Sequence, residues 1–145
     1  MRKYELTEET KTLADGTVLH RIRALRDIPM FGVEAGELGG FVEGENNLSQ
    51  DGDAWVYGNA KISGNACVSG YADYMVIKNT WSSGRWFTYT RSNKKWAVGC
   101  FYGTGEELVA KAYKDSKLSG KCYEAIVHAV ETIEAAKAEA KGGSK

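Results

Sequence analysis

The chain has 145 residues, 43% hydrophobic and 26% charged, which fits one domain or two very small ones of ordinary globular composition. Its 19 Lys and Arg balance 19 Asp and Glu. A zero net charge excludes an argument from the whole chain for nucleic-acid binding, and equally for an acidic surface that imitates DNA. No stretch approaches the length of a membrane helix, and the opening MRKYELTEETK has no apolar signal core, so a cytoplasmic protein is expected.

Residues 1–30 read as an N-terminal β cap. YELTEETKTLADGTVLHRIRAL offers a strand, a turn at Asp15-Gly16 and a second strand around Val18 to Leu25. Alternation places Val18, His20, Ile22 and Ala24 on one face, with Leu19, Arg21, Arg23 and Leu25 on the other. Pro29 ends the run.

Residues 31–78 carry a repeat. From Gly52 the chain reads GDAWVY, GNAKIS, GNACVS, GYADYM. Gly52, Gly58, Gly64 and Gly70 recur every six residues, as do Ala54, Ala60, Ala66 and Ala72. Val56, Ile62 and Val68 keep the same step until Tyr74 breaks it. Leu48 and Val42 extend the alanine column backwards. The short strand AxV points its small and its β-branched residue to one side. Gly-Asn or Gly-Asp then turns a corner, because both tolerate positive φ. Coiling strand and corner every six residues predicts a short left-handed β-helix. Little more than one turn is regular, so caps or a partner chain are expected to complete it.

Residues 79–145 read as a C-terminal ββαα unit, so the fold class is mainly β with α. NTWSSG is a loop. RWFTYT and KWAVGCF, joined by RSNKK, form a hairpin rich in aromatic and β-branched residues. Alternation puts Arg85, Phe87, Tyr89 and Arg91 on one face, and Trp86, Thr88 and Thr90 on the other beside Trp96, Val98 and Cys100. Thr104 and Glu107 make a capping-box pattern that opens a helix over 105–115. Gly120 separates it from a second helix with Cys122, Ile126, Ala129, Val130 and Ile133 at helical spacing. The terminal GGSK is expected to fray.

The string LHRIRAL…AGELGGFVEGENNLSQDGDAWVYGNA, with VGCFYGTGEEL at Val98–Leu108, resembles phage and prophage hexapeptide-repeat proteins of unassigned role. Here the repeat is much shorter. The resemblance implies a phage setting in the host bacterial cytoplasm and a homo-oligomer, with a trimer favoured. It implies no reaction.

Chemistry is hard to find in the residues. Coil acyltransferases use a histidine base beside a subunit groove, but His20 lies on the cap and His128 on the second helix, four residues after Glu124. Both read as structural or solvated. Cys67, Cys100 and Cys122 lack CxxC spacing and read as free thiols. No metal-ligand spacing or nucleophile–base pair stands out, so no catalytic residue, metal or cofactor is expected. The binding residues predicted are Arg85, Trp86, Phe87, Tyr89, Arg91 and Trp96 on the hairpin, of the types that dominate interface energy or stack on bases. Gly103 and Thr104 join them at a helix start suited to an anion. The hairpin aromatics filling a core or a seam is the competing reading. The expected function is a non-enzymatic phage accessory protein. Its role would be counter-defence, sequestering a small signalling nucleotide or binding a host defence protein. The alternatives are an acyltransferase-like enzyme and a structural assembly factor.

Overall fold

The computed structural model describes residues 2–70 and 73–143, with the side chains of 141–143 left aside. Ala72, the last of the alanine column, and Ser144-Lys145 lie outside the described residues. Two compact units emerge, Met1–Gly103 and Thr104–Lys145. The expected boundaries at 30 and 78 both fall inside the first.

In the first unit, β1 (Tyr4–Thr12) and β2 (Val18–Ala24) form the expected hairpin. Its turn holds Gly16 at φ 92°, and the Asp15 side chain accepts from the Thr17 N–H at 2.9 Å. The first sheet has the order β1-β2-β3-β4, with β3 at Leu38–Val42 and β4 only two residues long, Lys61–Ile62. The second sheet, in the order β5-β6-β7-β8, is antiparallel throughout: Tyr74–Lys78, Trp86–Thr90, Lys95–Val98 and Phe101–Gly103.

This arrangement overturns the short left-handed β-helix. The repeat forms no solenoid. Among the described residues of its four regular units the strands are β4 and the first two residues of β5, and five of the six strand pairings are antiparallel. The repeat passes once beside β3, where Phe41 and Val42 pair in parallel with Lys61 and Ile62, and Leu48 bridges Val68. The physical reason is the shortness of the repeat. With no further coils to stack on, its apolar columns close against β1–β3 instead. Ala54, Val56, Ala60, Ile62, Ala66 and Val68 are all buried, with Val42 and Leu48, in one core that also takes Tyr4, Ile22, Ile28 and Trp55. The six-residue register is therefore kept. Gly52, Gly58 and Gly64 sit at φ between 60° and 71° as corner residues.

Both faces of the β1–β3 sheet are used. Ile22 and Ala24 face the main core, while Leu19 joins Leu13 and Phe41 on the other side. There the Phe41 ring lies beneath the Arg21 guanidinium at 4.4 Å and the Lys11 ammonium at 5.0 Å. Arg21 is held in place by Gly39 O and by Glu9.

The segment read as one strand, KWAVGCF, is two. Gly99 at φ 56° turns the chain between β7 and β8. The cross-strand pairs are Phe87–Val98 and Tyr89–Trp96. Trp96 and Val98 thus lie beside Phe87 and Tyr89, not beside Thr88 as alternation alone had placed them. The hairpin turn sets the register, and its length was misjudged.

The second unit is a helical hairpin, α1 (Gly105–Asp115) and α2 (Lys117–Gly143). The capping box forms as expected, with Thr104 and Glu107 bonded reciprocally. The break between the helices falls at Ser116, whose extended backbone ends α1. Gly120, expected as the separator, lies inside α2. It is required there for space, because a Cβ would overlap the Tyr113 ring. The helix continues through Gly142 and Gly143.

Candidate binding surface

Antiparallel pairing fixes where the predicted residues go. Phe87 is fully buried and Tyr89 and Trp96 nearly so. Their rings pack together, Trp96 edge-on to Phe87 at 6.5 Å and tilted on Tyr89 at 5.1 Å. These three are buried core residues. Gly103 is buried and pairs with Trp96 at the end of β8. Thr104 opens the second unit. Its N–H donates to Glu107 Oε1 at 2.8 Å, and its hydroxyl accepts from the Glu107 N–H at 3.2 Å. The helix start predicted to receive an anion is thus already capped by a carboxylate. Arg85 and Arg91 remain exposed, at opposite ends of β6.

Trp86 has a different surrounding. It is half-buried on the face of β6 that meets the repeat. The Thr88 hydroxyl on the same face accepts from the Lys61 N–H at 3.1 Å, and Tyr102 donates to Ser63 O at 3.1 Å. Tyr57 lies edge-on to the Trp86 ring at 6.3 Å and tilted against Tyr74 at 5.9 Å. The Tyr74 hydroxyl donates to Trp55 O at 2.6 Å, and burial pushes its pKa up. Above the indole sits the Lys78 ammonium, 5.9 Å from the ring centroid. That geometry is a cation–π contact.

Two exposed rings escape the sequence reading, one against Trp86 and one on the loop that precedes it. Tyr57, 45% exposed, occupies the outward position of its repeat unit. Trp81, 54% exposed, stands on the loop between β5 and β6. The loop is built around buried Asn79. Its Oδ1 accepts from the Trp81 and Ser82 N–H groups, and its Nδ2 donates to the Ser82 and Ser83 hydroxyls. Such side-chain ties hold a loop in one conformation. Trp81 is therefore displayed on a fixed frame.

The charge around these rings is one-sided. From Tyr74 to Gly105 the chain holds Lys78, Arg85, Arg91, Lys94 and Lys95 and not one Asp or Glu. Because the whole chain balances 19 against 19, the remainder carries a net charge of −5. Lys94 is set outward by a left-handed backbone, φ 55°, in the β6–β7 turn. The signal was legible in the sequence and was hidden by summing over the whole chain.

The second unit has a feature of its own, a groove of about 420 Å³ between α1 and α2. Val109, Ala110 and Val127 line it with Glu106, Glu124, Glu131 and His128. The Tyr113 hydroxyl donates to Glu124 Oε1 at 2.7 Å, and this bond raises the Tyr113 pKa. His20 Nδ1 lies 3.3 Å from Thr7 O. Among the described residues, no three His, Cys, Asp or Glu side chains are grouped to hold a metal ion, and no helix is long and apolar enough to cross a membrane.

No protein family, no curated protein and no solved structure matches the chain.

Proposed function

We propose that this chain is a non-enzymatic phage accessory protein that acts by binding, and that its role is counter-defence by sequestering a nucleotide-bearing ligand. The observation that carries the reading is the Tyr57–Trp86 ring pair with Lys78 over the indole, together with Trp81 exposed on the loop that joins β5 to β6 at the same end of the sheet. Exposed flat rings receive a base by stacking, and adjacent cations receive its phosphate. The phage setting comes from the resemblance of LHRIRAL…GELGGFVEGENNLSQDG to hexapeptide-repeat proteins of phages and prophages. A homo-oligomer, with a trimer favoured, is part of the same proposal. Leu118 and Ile133, exposed on α2, offer apolar contacts for it.

The test is mass spectrometry of the assembly purified from bacteria, first native and then denatured, on wild type and on the Tyr57→Ala, Trp81→Ala double variant. A nucleotide released from wild type and absent from the variant is the expected result. Release of coenzyme A from both would sink the reading in favour of an acyltransferase. An empty assembly that retains a host protein only when the rings are intact would move the ligand from nucleotide to protein.

A further inference from the structure

We infer that the ligand of the second sheet is a single strand of nucleic acid, held as stacked bases and successive phosphates. The inference rests on the reading that the Tyr57–Trp81–Trp86 surface is the binding surface. It goes further in naming a polymer over a mononucleotide.

The argument begins with the charge. Thirty-two consecutive residues, 74–105, carry five cations and no carboxylate. Residues 74–103 of this run form the second sheet, so its five cations all belong to one sheet. Lys78 and Arg85 lie at one end of β6, and Arg91, Lys94 and Lys95 at the other. Six residue steps separate Arg85 from Arg91, about 20 Å at strand rise. One nucleotide cannot reach both groups, whereas a strand of about four or more can.

The rings sit at the Lys78–Arg85 end. Trp81 and Tyr57 are open to solvent, and Trp86 is held by its neighbours in a fixed pose. Stacking needs only a π-face, so this part of the surface accepts any base. The remaining cations then mark the path of the backbone towards the β6–β7 turn.

A protein with an acidic patch is the competing occupant of such a surface. Three of the five cations are lysines. Lysine is depleted from protein interfaces, whereas phosphate contacts use it freely. That difference favours the strand.

The experiment titrates the full-length protein with a fluorescein-labelled twelve-residue oligothymidylate, thymidine monophosphate and poly-L-glutamate, between 50 and 200 mM salt. The oligonucleotide should bind and weaken about 15- to 130-fold over that range, as expected if about three to five phosphates are neutralised. Arg85→Glu and Lys94→Glu should each flatten the salt dependence. Trp81→Ala should weaken binding about 5- to 100-fold with the salt dependence unchanged. Lys114→Glu, an exposed reversal on α1, should do neither. Circular dichroism checks that each variant is folded.

If thymidine monophosphate competes as well as the oligomer per nucleotide, the strand is overturned while the nucleotide reading stands. Equal binding of polyglutamate, indifferent to Trp81→Ala, overturns it in favour of an acidic protein. Binding of none of the three overturns it outright, and the mass-spectrometric comparison above then decides the surface separately.

Discussion

The indole of Trp86 lies over Gly58 so closely that a Cβ at the glycine would overlap the far edge of the ring. A corner of the six-residue repeat is thus the seat for a tryptophan of the second sheet. Glycine at this corner answers two demands, a left-handed backbone at φ 60° and room for the ring. Gly52 meets the first demand alone, since open space surrounds it at φ 71°.

The two glycines therefore separate strain from packing. Gly52→Ala should cost about 1 kcal/mol for the backbone. Gly58→Ala should cost about 2–4 kcal/mol, because displacing the ring adds to the strain. Urea unfolding of the two variants measures the difference. Equal costs would mean that Trp86 is not seated on this corner.

A second prediction concerns the apolar column. Ile62 is fully buried in the main core. Ile62→Asp places an unpaired carboxylate there and should leave no soluble folded protein. Lys61, next in the chain, is half-buried, and its ammonium donates to Gly99 O in the second sheet. Burial and the nearby Lys11 lower its pKa. Lys61→Asp should therefore fold but lose about 1–2 kcal/mol, more than a solvent-facing repeat position would lose. Expression and thermal denaturation distinguish the three proteins.

The six-residue columns told which side chains go inside, from Val42 and Leu48 through Val68, because that depends on alternation and on glycine at the corners. They did not tell what the inside would be packed against. Coil stacking and closure on β1–β3 demand the same columns, and the choice turns on how many units are present. The hairpin failed for a related reason. Aromatic and arginine residues alternating over 85–91 describe a strand with two good faces, and both faces proved to be covered in part. Phe87, Tyr89 and Trp96 went to the core, leaving Trp86 at the seam and the arginines at the strand ends. Trp81 belongs to no periodic pattern, and the six-residue step sets Tyr57 outward without telling what it meets there. Nothing in spacing brings a repeat residue, Tyr57, against a strand residue, Trp86.

The third prediction is a pH dependence. Lys3 is fully buried, with its ammonium donating to Ala54 O at 2.5 Å. Burial first, and Arg26 next, lower its pKa from 10.5 to about 8. Between those values the unfolded chain holds a proton that the folded chain has released, so stability rises with pH. Tyr4, beside it, donates from its buried hydroxyl to Leu48 O at 2.6 Å, and burial raises its pKa from 10.0 to about 12. There the folded chain keeps the proton, and stability falls between those values. Stability should climb by about 1–3 kcal/mol from pH 8 to pH 10 and turn down above pH 10. Denaturant unfolding across this range reads the curve. The climb should shrink in Lys3→Met to the part that Lys61 contributes, while the decline persists, and a flat wild-type curve would remove Lys3 from the account.

The last prediction tests whether the proposed surface is open. Four tryptophans report from different depths: Trp55 and Trp96 are buried, Trp86 is half-buried and Trp81 stands exposed on its loop. Acrylamide quenches an indole only on contact, so the accessible part of the emission should belong mainly to Trp81. Its neighbours are fixed by Asn79, whose amide and carbonyl groups are used within the loop. Replacing the indole should therefore leave the loop in place. Trp81→Phe should remove most of the quenchable emission and shift the remaining spectrum to the blue, without changing unfolding by more than about 0.5 kcal/mol. Adding the twelve-residue oligothymidylate to wild type should protect the same fraction. If wild type already resists acrylamide as strongly as the variant does, Trp81 is covered in the free protein. The ring could not then meet a base, and both the surface and its ligand would have to be sought elsewhere on the chain.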